Sequence, residues 1–172
     1  LVNSVEDVEK LEVKDPDQLS YVTQTTLSVD DTREVIEALK NKFPNVLGPD
    51  VKDICYATQN RQDAVRILTP QIDLLLVVGA QNSSNSNRLR DLGASMNKPS
   101  YLINDASDLN PEWLKGVKIV GITAGASAPE ELVQGVVKKL ADYRNIEVEK
   151  VSGVKENVTF KLPRELSDSA FV

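Results

Sequence analysis

Histidine is absent from this chain, and cysteine occurs once, at position 55. The first absence removes the commonest general base and metal ligand, so imidazole catalysis within these residues is excluded. A single cysteine rules out an internal disulfide and fits a reducing compartment. No apolar run approaches the roughly eighteen residues of a membrane span, and no signal peptide opens the chain. Basic excess is missing too: the net charge is -6, which leaves no footprint for nucleic acid. The first residue is Leu1, not Met, so the chain is expected to start inside a longer product or after processing.

What is present fits a globular protein. The 172 residues are 41% hydrophobic and 27% charged, enough for one ordinary domain or one domain plus part of another. The organising stretch is Leu74 to Arg90, LLLVVGAQNSSNSNRLR. Five apolar residues, Leu74 to Val78, predict a buried strand. Gly79 allows a sharp turn, and six uncharged polar residues, Gln81 to Ser86, then form a loop. Asn87 and Arg88 lead into a helix with Leu89, Leu92 and Met96 on one face. Strand, polar loop and helix N-terminus together make a place for an anion, because the first helical N–H groups have no internal partner.

The other elements repeat this plan. A short helix is expected around Val5 to Leu11, then a strand at Leu19 to Thr23. Ser28 and Asp31 resemble a capping box before a helix carrying Val35, Ile36 and Leu39, which stops before Pro44. Val51 to Tyr56 predicts a strand, and Thr58 a cap for a helix from Gln59 to Leu68. After the helix that ends by Lys98-Pro99, Tyr101 to Ile103 gives a short strand. Asn110-Pro111 starts a brief helix through Leu114, and Val117 to Thr123 is a further strand. Ser127 and Glu130 resemble a second capping box, followed by the stripe Leu132, Val133, Val136, Val137 and Leu140. Val148, Val151, Val158, Phe160 and Leu162 predict two strands in the tail.

This is the βαβ spacing of a parallel sheet. The expected fold is α/β: a parallel-sheet βαβ lobe, part of a second similar lobe, and a C-terminal β tail. The boundaries fall at 1–50 for the partial lobe, 51–143 for the complete lobe and 144–172 for the tail. Right-handed crossovers gather the strands' carboxyl ends on one edge, where open α/β sheets bind ligands. Those ends are Thr23 to Thr26, Cys55 to Thr58, Asn82 to Ser86 and Thr123 to Ser127, small and polar with no Lys or Arg. Ser28 and Thr58 read as ordinary caps. Ser83, Ser84, Asn85 and Ser86 exceed what one cap needs, and a phosphate or diphosphate held by neutral donors accounts for the excess. Neither a P-loop pattern nor GxGxxG is present, so a nucleotide is unsupported. Cys55 reads first as a small buried hydrophobe, and second as a thiolate nucleophile or metal ligand. One thiolate cannot hold an iron–sulfur cluster, which usually needs three or four.

Four segments carry a family resemblance: Thr23 to Thr32 (TQTTLSVDDT), Asp53 to Gln62 (DICYATQNRQ), Asn82 to Leu89 (NSSNSNRL) and Thr123 to Glu130 (TAGASAPE). Together they resemble the 4-hydroxy-3-methylbut-2-enyl diphosphate reductase (LytB) family, of which this chain would be the carboxyl-terminal portion. The resemblance implies a three-lobed α/β enzyme of the non-mevalonate isoprenoid pathway with a 4Fe-4S iron–sulfur cluster held by three cysteines. In that family the cluster reductively removes the allylic hydroxyl, giving isopentenyl and dimethylallyl diphosphates. By motif position, Cys55 resembles the third cluster cysteine, and Ser83, Ser84, Asn85 and Ser127 resemble the diphosphate-binding residues. Thr25 resembles the threonine near the substrate hydroxyl, where it helps relay a proton.

The implied partners are an allylic diphosphate substrate, an electron donor such as ferredoxin or flavodoxin, and the missing amino-terminal part, with no nucleic acid or membrane. The implied location is the bacterial cytoplasm, or the plastid in a plant or alga. The family's remaining cluster ligands and its acid lie upstream of the matched motifs, so the fragment is expected to be inactive alone. The alternative is a non-catalytic diphosphate- or sugar-phosphate-binding module on the same fold.

Overall fold

The computed structural model describes residues 1–24, 26–27, 29–49 and 55–151. Its centre is strand β1 (Leu74–Val78), all five residues of which are buried. β1 pairs in parallel with β2 (Ser100–Ile103) on one side and with β3 (Val120–Ala124) on the other, giving the order β2-β1-β3. A strand flanked on both edges and covered on both faces reads as a continuous apolar run, which is why LLLVV carries no alternation. Successive side chains point to opposite faces. Leu74, Leu76 and Val78 therefore pack with Ile103, Leu109, Val136 and Leu140, while Leu75 and Val77 pack with Val65, Ile72, Leu89 and Leu102.

Helices α3 (Tyr56–Leu68) and α4 (Ser84–Ser95) cover the second of these faces, and α5 (Glu130–Tyr143) covers the first. The connection from β2 to β3 carries two 3₁₀ turns, Ala106–Asp108 and Pro111–Leu114, and also packs on the α5 face. The crossover from β1 to β2 thus runs on one face and that from β2 to β3 on the other. Their divergence opens a switch point at the carboxyl ends of β1 and β3, where α/β sheets place ligands. Before this sheet, α1 (Val5–Glu9) and α2 (Val29–Lys42) form a small cluster around Val8, Leu39, Phe43 and Val46. Lys42 Nζ donates to the carbonyls of Val8, Glu9 and Leu11 at 2.6–2.9 Å, satisfying the open end of α1.

The α/β class and parallel sheet match the sequence reading; several local expectations do not. Leu19 to Thr23 is not a strand: a single parallel bridge, Ser20 to Leu47, is formed there. Tyr56 begins α3 and does not end a strand, and Thr58 lies buried inside that helix, whose N-cap is Cys55 without a side-chain bond. Ser84 to Ser86 are the first turn of α4 and not loop, because Ser83 caps the helix earlier than the apolar stripe announces. α4 ends at Ser95, ahead of Lys98-Pro99, with Met96 as its C-cap and Asn97 in the left-handed region at φ 60°. Ser127 caps nothing, since Pro129 occupies the N-cap of α5. β3 starts at Val120, three residues later than expected. The Ser28–Asp31 pairing, Val51 to Ile54 and the tail beyond Val151 lie outside the described residues; residues 144–151 form no helix or strand.

One side chain sets where β3 begins. Asp73, just before β1, accepts the amides of Lys118 and Ile119 at 2.8 and 2.9 Å and donates its own amide to the Ile119 carbonyl. Those amides, Ile119 first, hold its carboxyl below the usual aspartate range. A depressed pKa gives stability that is present above the unfolded value and lost as pH falls through the folded one. Asp73→Ala should therefore lower the melting temperature at pH 7. The gap to the parent protein should close below about pH 4, where the unfolded carboxyl begins to protonate. Thermal melts at pH 7 and pH 2.5 check both statements.

Candidate functional site

The carboxyl ends of β1 and β3 finish in Gly79 and Gly125, joined across the sheet edge by the Gly125 amide on the Val78 carbonyl at 2.9 Å. Neither glycine has positive φ; among the described glycines only Gly116 does. Both are needed for close approach, since a Cβ at either position would overlap the Ser86 hydroxyl. The first turn of α4 is thereby seated directly on two strand ends. Ser83 Oγ caps it by accepting the Ser86 amide at 3.3 Å. Asn87 Nδ2 donates to the carbonyls of Gln81 and Ser83, which fixes the turn that precedes the cap.

This helix start is electrostatically uncompensated. α4 has no acidic residue in its first turn, whereas α5 has Glu130 and Glu131 in its own. A twelve-residue helix carries partial positive charge on its open N–H groups, which favours an anion there. Asn85 adds a second observation: it is 7% exposed, and among the described residues neither its amide nitrogen nor its carbonyl oxygen has a hydrogen-bond partner. Its nitrogen lies 3.7 Å from where a Gly125 side chain would begin. Buried amides are normally satisfied, so this one is available to a further polar group beyond those residues.

Ser127, two residues beyond Gly125, lines an adjoining cleft of about 270 Å³ with Gly79, Ala80, Asn104, Asp105, Ala128, Pro129 and Leu132. No lysine or arginine lines it, so an anion would rely on neutral donors and the helix end. Asp105, on the β2 side, is held below the usual carboxylate range by the Ser107 hydroxyl and then the Ser107 amide. That wall stays negative and favours anion placement toward α4.

The structure thus brings Ser83, Ser84, Asn85 and Ser127 to the same pair of strand ends. Cys55 stands apart at the head of α3 and is exposed, not buried as its lone occurrence implied. Arg61, one and a half turns along α3, connects the two regions by donating Nε to the Ala124 carbonyl at 3.1 Å. Gln24, the neighbour of Thr25, reaches Ser84 Oγ at 3.4 Å. Thr25 itself lies outside the described residues. Among the described residues no group of three or more His, Cys, Asp or Glu is gathered to hold a metal ion.

The family model described as "LytB protein" matches residues 1–141. The chain belongs to the LytB protein family. This LytB chain is similar to the 4-hydroxy-3-methylbut-2-enyl diphosphate reductase of Idiomarina loihiensis, with 59% identity over 96% of the chain and 53% of that protein. The reductase of the same name from Azoarcus sp. is 52% identical over 98% of the chain and 54% of its own length. A solved structure, the E-1-hydroxy-2-methyl-but-2-enyl-4-diphosphate reductase from Plasmodium falciparum, superposes with a TM-score of 0.83 at 38% identity. It covers 96% of the LytB chain and 53% of its own. The chain spans about half the length of the curated relatives it matches.

Sequence reading missed Ser86 and Arg61 as positioning residues. Ser86 was legible only as one of four polar residues, and the glycines that accept it are 7 and 39 positions away. The wedge is directly testable. Gly125→Ala should destabilise the fold by about 1–3 kcal/mol through overpacking against Ser86, measured by urea unfolding. Combining it with Ser86→Ala should recover part of the loss.

Proposed function

We propose that this LytB chain is the carboxyl-terminal part of a reductase that converts 4-hydroxy-3-methylbut-2-enyl diphosphate to isopentenyl and dimethylallyl diphosphates by reductive dehydroxylation. Within it, the α4 start and the Ser127 loop hold the diphosphate. The observation that carries this reading is Asn85, buried and unpartnered at an uncompensated helix N-terminus on the switch point. Ser83, Ser84 and Asn85 supply donors from one side of the strand ends, Ser127 from the other, and the free N–H groups of α4 face the charge. Thr25, next to Gln24, is assigned to the proton relay at the substrate hydroxyl.

An iron–sulfur cluster does not fit on this chain alone. It has one cysteine and no histidine, and clusters are usually held by three or four thiolates. Cys55, exposed at the head of α3, is the one thiolate it would contribute to a 4Fe-4S site completed by the amino-terminal part. Residues 1–50 form a partial lobe, 51–143 a complete one and 144–172 a tail. The complete enzyme would draw electrons from a ferredoxin or flavodoxin in the cytoplasm or plastid.

Titration calorimetry of the 172-residue chain with inorganic pyrophosphate tests the reading. Ser83→Ala and Ser127→Ala should each weaken binding by about 1.5–3 kcal/mol, the size of a lost hydrogen bond to a charged group. Reductase turnover by the purified chain without an added partner would contradict its assignment as one part of the catalyst.

A further inference from the structure

Ser86 is 1% exposed, and among the described residues its Oγ has one partner, Ser83 Oγ at 3.1 Å. A buried hydroxyl hydrogen without an acceptor is costly, so Ser86 must donate to Ser83 and not the reverse. Ser83 Oγ already accepts the Ser86 amide. A serine oxygen offers two acceptor lone pairs and one hydrogen. Both lone pairs of Ser83 are consequently occupied by residue 86, once by its amide and once by its hydroxyl. Only the Ser83 hydrogen remains, and it can only be given outward. Ser86 is not free to turn away, because its hydroxyl is lodged between Gly79 and Gly125, too close to either for a Cβ to fit.

We propose that Ser86 is a positioning residue that makes Ser83 a one-way donor, selecting a ligand whose facing atoms only accept hydrogen bonds. This inference rests on the anion site proposed above and sharpens its specificity. A diphosphate oxygen meets the requirement; an amide N–H, an ammonium group or an alcohol acting as donor finds no free lone pair on Ser83. Two bonds into the same oxygen also polarise its O–H, which strengthens donation to a charged acceptor. The α4 dipole acts in the same direction.

The test is a double-mutant cycle on the full chain, read as affinity for inorganic pyrophosphate by calorimetry, with hydrogen exchange of the residue-86 amide followed alongside. Ser86→Ala keeps that amide and its acceptor but removes the hydroxyl, and should weaken pyrophosphate about fivefold or more. The amide should keep its protection, showing that α4 is still capped. In a Ser83→Ala background, Ser86→Ala should have no further effect on affinity, since its only route is through Ser83.

Unchanged affinity in S86A, additive losses in the double variant, or a loss that comes with collapse of amide protection would each overturn the positioning role. Should S86A not fold, S86C puts a weaker donor on a larger atom; with the residue-86 amide still protected, affinity equal to the parent's would overturn the proposal and a partial loss would support it. Absence of pyrophosphate binding by the parent chain would instead overturn the anion-site reading itself.

Discussion

The burial of β1 on both faces and both edges is the constraint on which the rest depends. Five successive large apolar residues leave no face for solvent, so helices must cover both sides and strands must flank both edges. Once covering elements lie on opposite faces, the crossovers diverge at the β1/β3 end, and a crevice there follows from topology. Gly79 stands at the point where β1 leaves the core. Its missing side chain lets α4 begin at once, with Ser86 against the strand ends. The position of the candidate site is therefore a consequence of the core, not an addition to it.

On the reading proposed above, the chemistry at this edge is that of an anion site built without cations. A helix end, a serine cap and a buried asparagine replace the lysine or arginine that an exposed phosphate site commonly uses. Neutral donors held by packing lose little entropy on binding and add no charge that must be desolvated when the site is empty. Arg61 is turned to another use: its guanidinium secures the Ala124 carbonyl, linking the helix headed by Cys55 to the strand end that leads to Ser127. Two regions that the sequence separates by some seventy residues are mechanically joined by that contact.

The sequence made legible what depends on local composition. The run Leu74–Val78, the stop before Pro44 and the Asn110-Pro111 start are short-range signals, and each corresponds to an element. Illegible were features set by partners far along the chain. Leu19 to Thr23 has strand composition, but a ladder needs a neighbour and among the described residues only one bridge forms there. Ser127 and Glu130 have capping-box spacing, yet Pro129 sits at the cap, so the pattern matches without the geometry. Asp73 reads as an ordinary polar residue until Lys118 and Ile119 are placed beside it. Polar residues in the interior, such as Gln62 at 0% exposure, break the apolar pattern; its side-chain amide donates to the Leu27 carbonyl, a partner that spacing does not encode. Of the candidate site, the polar excess from Ser83 to Ser86 was readable; which of those residues caps, which is buried and which wedges was not.

We propose that an anion binds at the α4 start and the Ser127 loop. The most direct measurement is amide chemical-shift mapping of the 172-residue chain on titration with inorganic pyrophosphate. Saturable shifts are expected to concentrate at residues 83–87 and 125–127, with the Asn85 side-chain amide among the largest. Shifts centred elsewhere, on the α1–α2 cluster or the lysines of α5, would contradict it, as would no saturable shift at Asn85.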